Sequence, residues 1–264
     1  ESSFEANQVK NFLKKYHINC KILKSEKMIK SSNLQSNARI LRYNLVFEEC
    51  KKQKIKYVFT GHHHDDLYEN FFIRLIRGSG LKGLISFNKI ITKNETNNNI
   101  TIVRPLLNFT KKQLLTIVNE TFTKYINDPS NYNQTFLRSK IRNLIEFMKK
   151  EGFDSKKFDE TLSNLTSSNC TIDFYTDKNL KDNVKYYKNF VLVNNSFFHH
   201  PFEVVFRALG NLLISFSKNK NYVRGKKLKD LINWVKLRSN SKKMTLSGCI
   251  FEKTSNTLII SREK

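Results

Sequence analysis

One short stretch of the chain concentrates the side chains that could do chemistry, Gly61-His62-His63-His64-Asp65-Asp66-Leu67-Tyr68-Glu69. An apolar run ending in glycine precedes it and a helical spacing of apolar residues follows. The stretch therefore lies at the C-terminal end of a predicted strand, where open α/β sheets bind ligands. Asp66 and Glu69 are three residues apart, which in a helix projects both carboxylates to one side. His62 lies just before the turn and can face the same crevice, so a polar ligand site is predicted here.

Simpler interpretations of the same stretch stay open. Three histidines with two acids are residue types of a metal site, but consecutive histidines on a turn point in different directions, and we expect no bound metal. Asp65 is well placed to be the N-cap of the helix, the commonest role of an aspartate at such a position. His63 or His64 can simply be solvated.

The surrounding elements alternate between helices and short buried strands, which indicates an α/β fold with a Rossmann-like parallel sheet flanked by helices. A glycine C-cap ends one helix at Arg77-Gly78-Ser79-Gly80, and Thr110 with Gln113 predicts a capping box. The predicted strands are 20–23, 57–61 and 100–103, and the predicted helices lie at the N-terminus, at 38–52, from 65 or 66 to 76, from 110 to about 125 and along 137–148.

The pattern changes after residue 150. The run Lys149-Lys150-Glu151-Gly152 and the polar stretch 163–169 predict a linker region. Beyond it we expect helices at 203–213 and 228–237 and a closing β-hairpin. The strands of that hairpin are predicted at 244–251 and 257–261. We therefore expect two domains, 1–150 with the parallel sheet and 151–264, which is smaller and mainly helical with the β-hairpin.

Composition limits the classes of protein that fit. Lysine and arginine number 47 against 23 acidic residues, a formal net charge of +24, and such a surface attracts polyanions. The chain is also dense in asparagine and isoleucine, so part of the lysine excess can reflect genomic A/T bias. Four cysteines without C-x-x-C spacing indicate reduced thiols. No apolar stretch approaches the roughly 18 residues of a membrane span and the start is unlike a signal peptide, so we expect no membrane partner and a cytoplasmic location.

Eight segments, in order and at sensible spacing, carry a resemblance that covers nearly the whole chain. They are Ala38-Arg39-Ile40-Leu41-Arg42-Tyr43, residues 61–69, Arg77-Gly78-Ser79-Gly80-Leu81-Lys82-Gly83-Leu84, Arg104-Pro105-Leu106-Leu107, Asp128-Pro129-Ser130-Asn131, residues 138–142, Phe206-Arg207-Ala208-Leu209 and Thr245-Leu246-Ser247-Gly248-Cys249. Together they resemble the tRNA(Ile)-lysidine synthetase family, whose members are N-type ATP pyrophosphatases of the PP-loop superfamily.

The resemblance implies a ligase that forms a C–N bond and converts ATP to AMP and pyrophosphate. Its substrates would be ATP with Mg²⁺, free L-lysine and tRNA(Ile) with a CAU anticodon. C2 of the wobble cytidine would be activated by adenylation, and the lysine ε-amine would then attack that carbon to form lysidine. Residues 1–150 would be the catalytic domain, and 151–264 a second domain that binds and positions the tRNA.

The resemblance also suggests roles for individual residues. Asp66 and Glu69 would hold the lysine ammonium through charge-assisted hydrogen bonds, and one of them would take a proton from the amine. Gly61 and His62 would lie near ATP, because glycine lets the nucleotide approach the backbone. Arg39 or Arg42 would stabilise charge on phosphate or on the adenylated intermediate. A solvated helix face remains the alternative for whichever arginine points outward.

Basic residues supply the expected contacts to tRNA. Arg138 is a candidate for AMP or the tRNA backbone, and an ordinary basic helix face is the alternative for it and its neighbours. The residues assigned to tRNA are Arg138, Lys140 and Arg142 in the first domain and Arg224, Lys226 and Lys227 in the second.

The sequence departs from the family pattern in its phosphate-binding loop. The family begins with a strand and a Ser-Gly-Gly-x-Asp-Ser loop that wraps the ATP phosphates, and this sequence holds no such segment. Glu1-Ser2-Ser3 resembles the junction that follows the loop's helix and second strand, so we expect two strands and one helix to be missing. The chain alone is then expected to be inactive. Leu67 and Asn70 replace the usual glutamine and threonine but leave the carboxylates in place.

Two other functions remain open at this stage. One is a catalytically dead tRNA-binding remnant, which fits the absent loop and the high charge. The other is a different PP-loop tRNA-modifying enzyme, such as a cytidine thiolase. The absence of a C-x-x-C pair weighs against a thiolase.

Overall fold

The computed structural model describes residues 2–25, 34–87, 90–95, 98–122, 125, 137–217, 223, 225–237 and 243–263. The chain divides into two compact units, Glu1–Phe158 and Asp159–Lys264. Within the described ranges no helix is both long and apolar enough to cross a membrane.

The first unit contains a three-stranded mixed sheet with helices around it. The strand order is β1-β3-β2, with β1 parallel to β3 and β2 antiparallel to β3. The parallel pairing and the flanking helices confirm the predicted fold class. The elements are α1 (Ser2–Lys14), α2 (Leu34–Lys52), β1 (Tyr57–Phe59), α3 (His64–Ile76), α4 (Leu81–Leu84), β2 (Ile90–Glu95), β3 (Asn98–Val103), a 3₁₀ turn (Pro105–Asn108), α5 (Lys111–Thr121) and α6 (Leu137–Lys150).

Apolar burial fixes α2 against the sheet. Phe47 and Cys50 of α2 pack with Ile100 and Ile102 of β3, and all four side chains are buried. Alternate residues of β3 point to this side, as the two-residue period of a strand requires. Burial raises the pKa of the Cys50 thiol, so this cysteine behaves as a small apolar residue.

Local signals in the sequence set the ends of two helices. After α3, Gly78 has φ +66°, its N–H donates to the Leu75 carbonyl at 3.0 Å, and the Ser79 N–H donates to Arg74 at 3.0 Å. This is the predicted glycine C-cap, because glycine adopts a positive φ without steric cost. Before α5, the Gln113 N–H donates to Thr110 Oγ1 and the Thr110 N–H donates to Gln113 Oε1, which confirms the capping box.

Two boundaries in the first unit differ from expectation. No strand forms at 20–23, so that prediction is wrong. The helix predicted to reach about 125 ends at Thr121. The turn at 128–131 lies outside the described residues.

The second unit is a five-stranded antiparallel sheet covered by helices. The strand order is β4-β5-β8-β7-β6, and the inward side chains of β5, β7 and β8 form one apolar cluster with α8 and α9. Arg262 and Lys253, on strands, donate to the last carbonyls of those helices, Phe216 O at 2.9 Å and Val235 O at 2.7 Å. The elements are α7 (Ser155–Asn183, which begins in the first unit), β4 (Val184–Tyr186), β5 (Phe190–Asn194), a 3₁₀ turn (Asn195–His199), α8 (Phe202–Phe216), α9 (Gly225–Leu237), β6 (Lys243–Leu246), β7 (Cys249–Lys253) and β8 (Thr257–Arg262).

The predicted strand 244–251 is wrong in its length. Ser247 and Gly248 adopt φ values of +56° and +72°, so they form a two-residue turn that separates β6 from β7. The predicted hairpin is thus β7 with β8, and β6 is an additional strand. Strands β4 and β5 were not predicted.

The predicted linker at 163–169 is also wrong, because these residues lie inside α7. Polar residues interrupt the buried side of α7 at Asn169, Thr176, Asn179 and Asn183, which weakens its apolar period in the sequence. Asn179 donates to the Phe197 carbonyl at 3.1 Å and accepts from Asn183 at 2.8 Å. Arg207 of α8 donates to Asn169 at 2.6 Å and to Asp173 at 3.0 Å. Hydrogen bonds to buried groups therefore hold this helix together with the apolar contact that Leu180 makes with the core.

We expect Asn179→Ala to lower the free energy of unfolding of the second unit by about 1–3 kcal/mol, because two buried polar partners lose their hydrogen bonds. Urea unfolding followed by Trp234 fluorescence measures this, since Trp234 is the one tryptophan in the sequence. The control is Asn164→Ala, an exposed position of the same helix, expected to change stability by less than about 0.5 kcal/mol. Equal effects of the two substitutions would contradict a structural role for the buried network.

Candidate functional site

The carboxyl ends of β1 and β3 lie side by side and carry the polar cluster. Phe59 pairs with Val103, and the Thr60 N–H donates to the Val103 carbonyl at 3.0 Å. Residues after both strands therefore emerge at the same edge. His62 turns back toward the sheet, with Nδ1 2.8 Å from Thr60 Oγ1. This is the ligand-binding edge of a parallel sheet.

A cleft of about 550 Å³ opens at this edge. It gathers residues from α2, the loop after β1, α3 and α6. Three guanidiniums face one carboxylate, so the cleft is suited to an anionic ligand. The sequence-predicted residues that line it are Arg39, Arg42, Gly61, His62, Asp66 and Arg138.

His62 is neutral in this setting. Burial lowers its pKa to about 4, and the charges of Arg104, Arg39 and Arg138 act in the same direction while Asp66 opposes them. The imidazole and the ring of Phe87 are nearly perpendicular, with centroids 5.3 Å apart. A neutral imidazole keeps a lone pair, so His62 can accept a hydrogen bond from a ligand at neutral pH.

Asp66 has a structural role as well as a place in the cleft. The His63 N–H, at the N-cap of α3, donates to Asp66 Oδ2 at 2.9 Å. A carboxylate in the first turn also matches the positive end of the helix. The cleft position of Asp66 is therefore set by the start of the helix.

Asp65 does not cap α3, because the N-cap is His63. It instead accepts from the Lys111 N–H at 2.7 Å, at the first residue of α5, and pairs with Lys149 Nζ of α6 at 3.3 Å. Burial would raise the pKa of Asp65, but the Lys111 hydrogen bond and the Lys149 ammonium hold it below its usual value. Asp65 thus ties three helices together.

Glu69 lies between two arginines of α6. Its carboxylate is 2% exposed, with Oε2 3.2 Å from Arg138 Nε and Oε1 2.5 Å from Arg142 Nε. Glu69 and Arg142 line a second cleft, of about 820 Å³, with Asp65 and Lys149. Asp66 and Glu69 share one side of α3 but open on different clefts, and a lysine ammonium at Glu69 would compete with two guanidiniums.

Arg104 was not predicted as a site residue. It follows β3, is buried, and places its guanidinium 4.3 Å from the centroid of Phe87. It also hydrogen-bonds the Tyr43 side chain, whose ring lies 5.5 Å from the Arg39 guanidinium. The sequence signal was an arginine before proline at a strand end. Arg104 therefore supports Tyr43, which lines the first cleft.

The remaining predicted residues are more dispersed. Lys140 is exposed on α6, and Lys226 and Lys227 are exposed in the first turn of α9, in the second unit. Arg224 lies outside the described residues. Across the described parts of the chain, no group of three histidine, cysteine or acidic side chains is placed to hold a metal ion.

Comparison with known proteins agrees with this architecture. The PP-loop domain model matches residues 1–148, more than half of the chain. The chain therefore belongs to the PP-loop family.

Within that family it is similar to tRNA(Ile)-lysidine synthases. It is 34% identical over 247 residues to the one of Orientia tsutsugamushi (strain Boryong), covering 88% of this chain and 54% of the relative. Identity is 30% over 244 residues to that of Wolbachia pipientis wMel, covering 92% and 56%. Identity is also 30%, over 233 residues, to the synthase of Wolbachia sp. subsp. Brugia malayi (strain TRS), covering 88% of this chain and 53% of the relative. The chain spans about half the length of these relatives.

We expect His62 to titrate near pH 4, because burial and three arginines disfavour the imidazolium. Its ring resonances in NMR, assigned by comparison with His62→Gln, should stay unchanged from pH 8 to about pH 5. Between pH 6.5, the ordinary pKa of histidine, and about pH 4, the His62 imidazole is protonated in the unfolded chain and neutral in the folded chain. The contribution of His62 to the free energy of unfolding is therefore fully present above pH 6.5, and it is lost as the pH falls from 6.5 to about 4. A midpoint at or above pH 6 would contradict the arrangement.

Replacing Glu69 should loosen α3 and α6. We expect Glu69→Ala to lower the free energy of local opening by about 2–3 kcal/mol, less than for a fully buried pair because both arginines are partly exposed. Hydrogen exchange of peptides covering α3 and α6 measures it. The control is Glu146→Ala. Glu146 pairs with Lys149, but its side chain is 69% exposed, so its loss should lower the free energy of opening by less than about 1 kcal/mol. If the two variants exchange alike, Glu69 does not anchor α6.

Proposed function

We propose that this chain serves the ATP-dependent ligation of lysine to C2 of the wobble cytidine of tRNA(Ile) with a CAU anticodon. The observation that carries the proposal is the first cleft, in which Arg39, Arg42 and Arg138 surround His62 and Asp66 at the carboxyl end of parallel strands. The similarity to enzymes named tRNA(Ile)-lysidine synthase indicates which reaction such a cleft would serve.

ATP would supply the adenylate that activates the cytidine, with loss of pyrophosphate. The three arginines suit its phosphates, because forked guanidiniums bind phosphate oxygens in pairs. A Cβ built at Gly61 meets nothing within 4 Å, so the backbone there is open to a ligand. His62, neutral, would accept a hydrogen bond rather than add charge. Mg²⁺ would take most of its ligands from phosphate and water, as this ion usually does.

Lysine would bring its ammonium to the acidic side of α3. Asp66 is the carboxylate in the first cleft and would hold the amine and accept its proton. Glu69 opens on the second cleft and would act on the first through Arg138, which its carboxylate pairs with. Substrate lysine at Asp66 and Glu69 stays a prediction.

The tRNA would be held largely by charge. Arg138, Lys140 and Arg142 lie on one helix beside the cleft, and Lys226 with Lys227 begins α9 in the second unit. A net charge of +24 favours phosphate neutralisation with counterion release. A tRNA-binding remnant without catalysis would keep these contacts, and only an assay of the chemistry separates the two functions.

The test follows labelled lysine into tRNA transcripts. Two proteins are compared, the 264-residue chain and the same chain with two strands, the Ser-Gly-Gly-x-Asp-Ser loop and the helix between them joined ahead of Glu1. We expect the joined form to transfer lysine to the CAU transcript, not to one with uridine at the wobble position, and the shorter chain to transfer none. A joined form that binds ATP and tRNA but transfers no lysine would leave the remnant as the better description.

Asp66→Asn in the joined form should raise the KM for lysine by roughly tens-fold, because a charge-assisted contact contributes about 1.5–3 kcal/mol. The affinity for ATP should be largely kept. Glu48→Gln, an exposed carboxylate on α2, is the matched control and should leave both unchanged. Asp66 is preferred to Glu69 for this test because Glu69 also anchors two arginines. Loss of ATP binding with an unchanged lysine dependence would assign Asp66 to the nucleotide instead.

A further inference from the structure

The β4–β5 hairpin presents aromatic and basic side chains at its tip. Val184 pairs with Val193 and Tyr186 with Val191, and the Tyr187 N–H closes the turn on the Phe190 carbonyl at 2.9 Å. β4 is the edge strand of the five-stranded sheet. Within the described residues, one side of β4 is therefore free of a pairing strand in this sheet.

The pairing register separates the two faces of this hairpin. Val184, Val191 and Val193 are buried in the apolar core, and alternation places Lys185, Tyr187 and Phe190 on the opposite face. There the rings of Tyr187 and Phe190 stack, with centroids 4.7 Å apart and an interplanar angle of 14°. Tyr187 is 49% exposed, so this pre-formed aromatic pair still offers ring surface to a partner.

The charged side chains of the hairpin are all basic. Residues 184–190, Val-Lys-Tyr-Tyr-Lys-Asn-Phe, contain Lys185 and Lys188 and no acidic residue. Both lysines are exposed. Exposed rings beside cations are how proteins bind unpaired nucleotides, with the base on the ring and the phosphate on the cation.

We propose that the tip of the β4–β5 hairpin binds an unpaired nucleotide of RNA, its base stacked on Tyr187 and a neighbouring phosphate held by Lys185 or Lys188. This rests on the proposed function in taking tRNA as the RNA, and it assigns to the second unit a contact with a tRNA loop. Bases within a duplex are already stacked on each other, so a single ring pair selects loop nucleotides.

The test measures binding of a tRNA transcript and of a single-stranded oligonucleotide to the full chain. Tyr187→Ala and Tyr187→Leu should each weaken both affinities about 5- to 100-fold, because stacking contributes roughly 1–3 kcal/mol per base. Tyr187→Phe should restore binding. Leucine keeps an apolar contact with Phe190 but has no π face. Weak RNA binding by Tyr187→Leu would therefore reflect lost base stacking and not a less stable hairpin. Lys185→Gln with Lys188→Gln should reduce the salt dependence, whereas Tyr187→Ala should leave it unchanged.

The control is Phe174→Ala, on α7 of the same unit, where the ring is 64% exposed and no binding change is expected. Trp234 fluorescence in urea checks that the second unit stays folded in each variant. Equal affinity of wild type and Tyr187→Ala for both RNAs would overturn the proposal, as would binding restored by leucine. A wild-type chain that binds the oligonucleotide through Tyr187 but not tRNA would contradict the proposed function and leave the hairpin site standing.

Discussion

The arrangement of the first unit depends on one buried carboxylate. Glu69 is almost inaccessible to solvent and meets Arg138 and Arg142 through their Nε atoms. Two arginines one turn apart on α6 would repel each other, and the carboxylate between them removes that cost. An unpaired carboxylate at this depth would in turn be expensive, so α3 and α6 each need the other. Glu69 thus pairs with one arginine that lines the first cleft, Arg138, and with one that lines the second, Arg142.

Much of the candidate site followed from sequence because strand, turn and helix are adjacent in the chain. Gly61, His62 and Asp66 sit within six residues of one another, and the strand period and the helix start determine where they point. Arg39 and Arg138 come from distant helices, and their presence in the same cleft was expected through the resemblance alone. Arg104 was missed because its partners, Phe87 and Tyr43, are set by tertiary packing.

The second unit was less predictable, for a physical reason. α7 buries three asparagines and a threonine between its apolar positions, so the polar stretch around Asn169 was taken for a linker. The positive φ of Ser247 is similarly uncommon for a residue other than glycine. Charge was also an incomplete guide. Arg207, Lys253 and Arg262 are committed to partners inside the fold, so part of the positive charge stabilises helices instead of attracting a polyanion.

Two neighbouring aspartates accept hydrogen bonds from opposite directions along the chain. Asp66 accepts from the backbone before α3, whereas Asp65 reaches the first residue of α5 and the ammonium of Lys149. A helix turns by about 100° per residue, so one residue inserted or deleted between Asp66 and Glu69 would rotate Glu69 away from its two arginines while both aspartates keep their partners. Substitutions such as those at Leu67 and Asn70 carry no such penalty. Among descendants of this gene, the segment from Asp65 to Glu69 should therefore change residue type at Leu67 while its length stays constant.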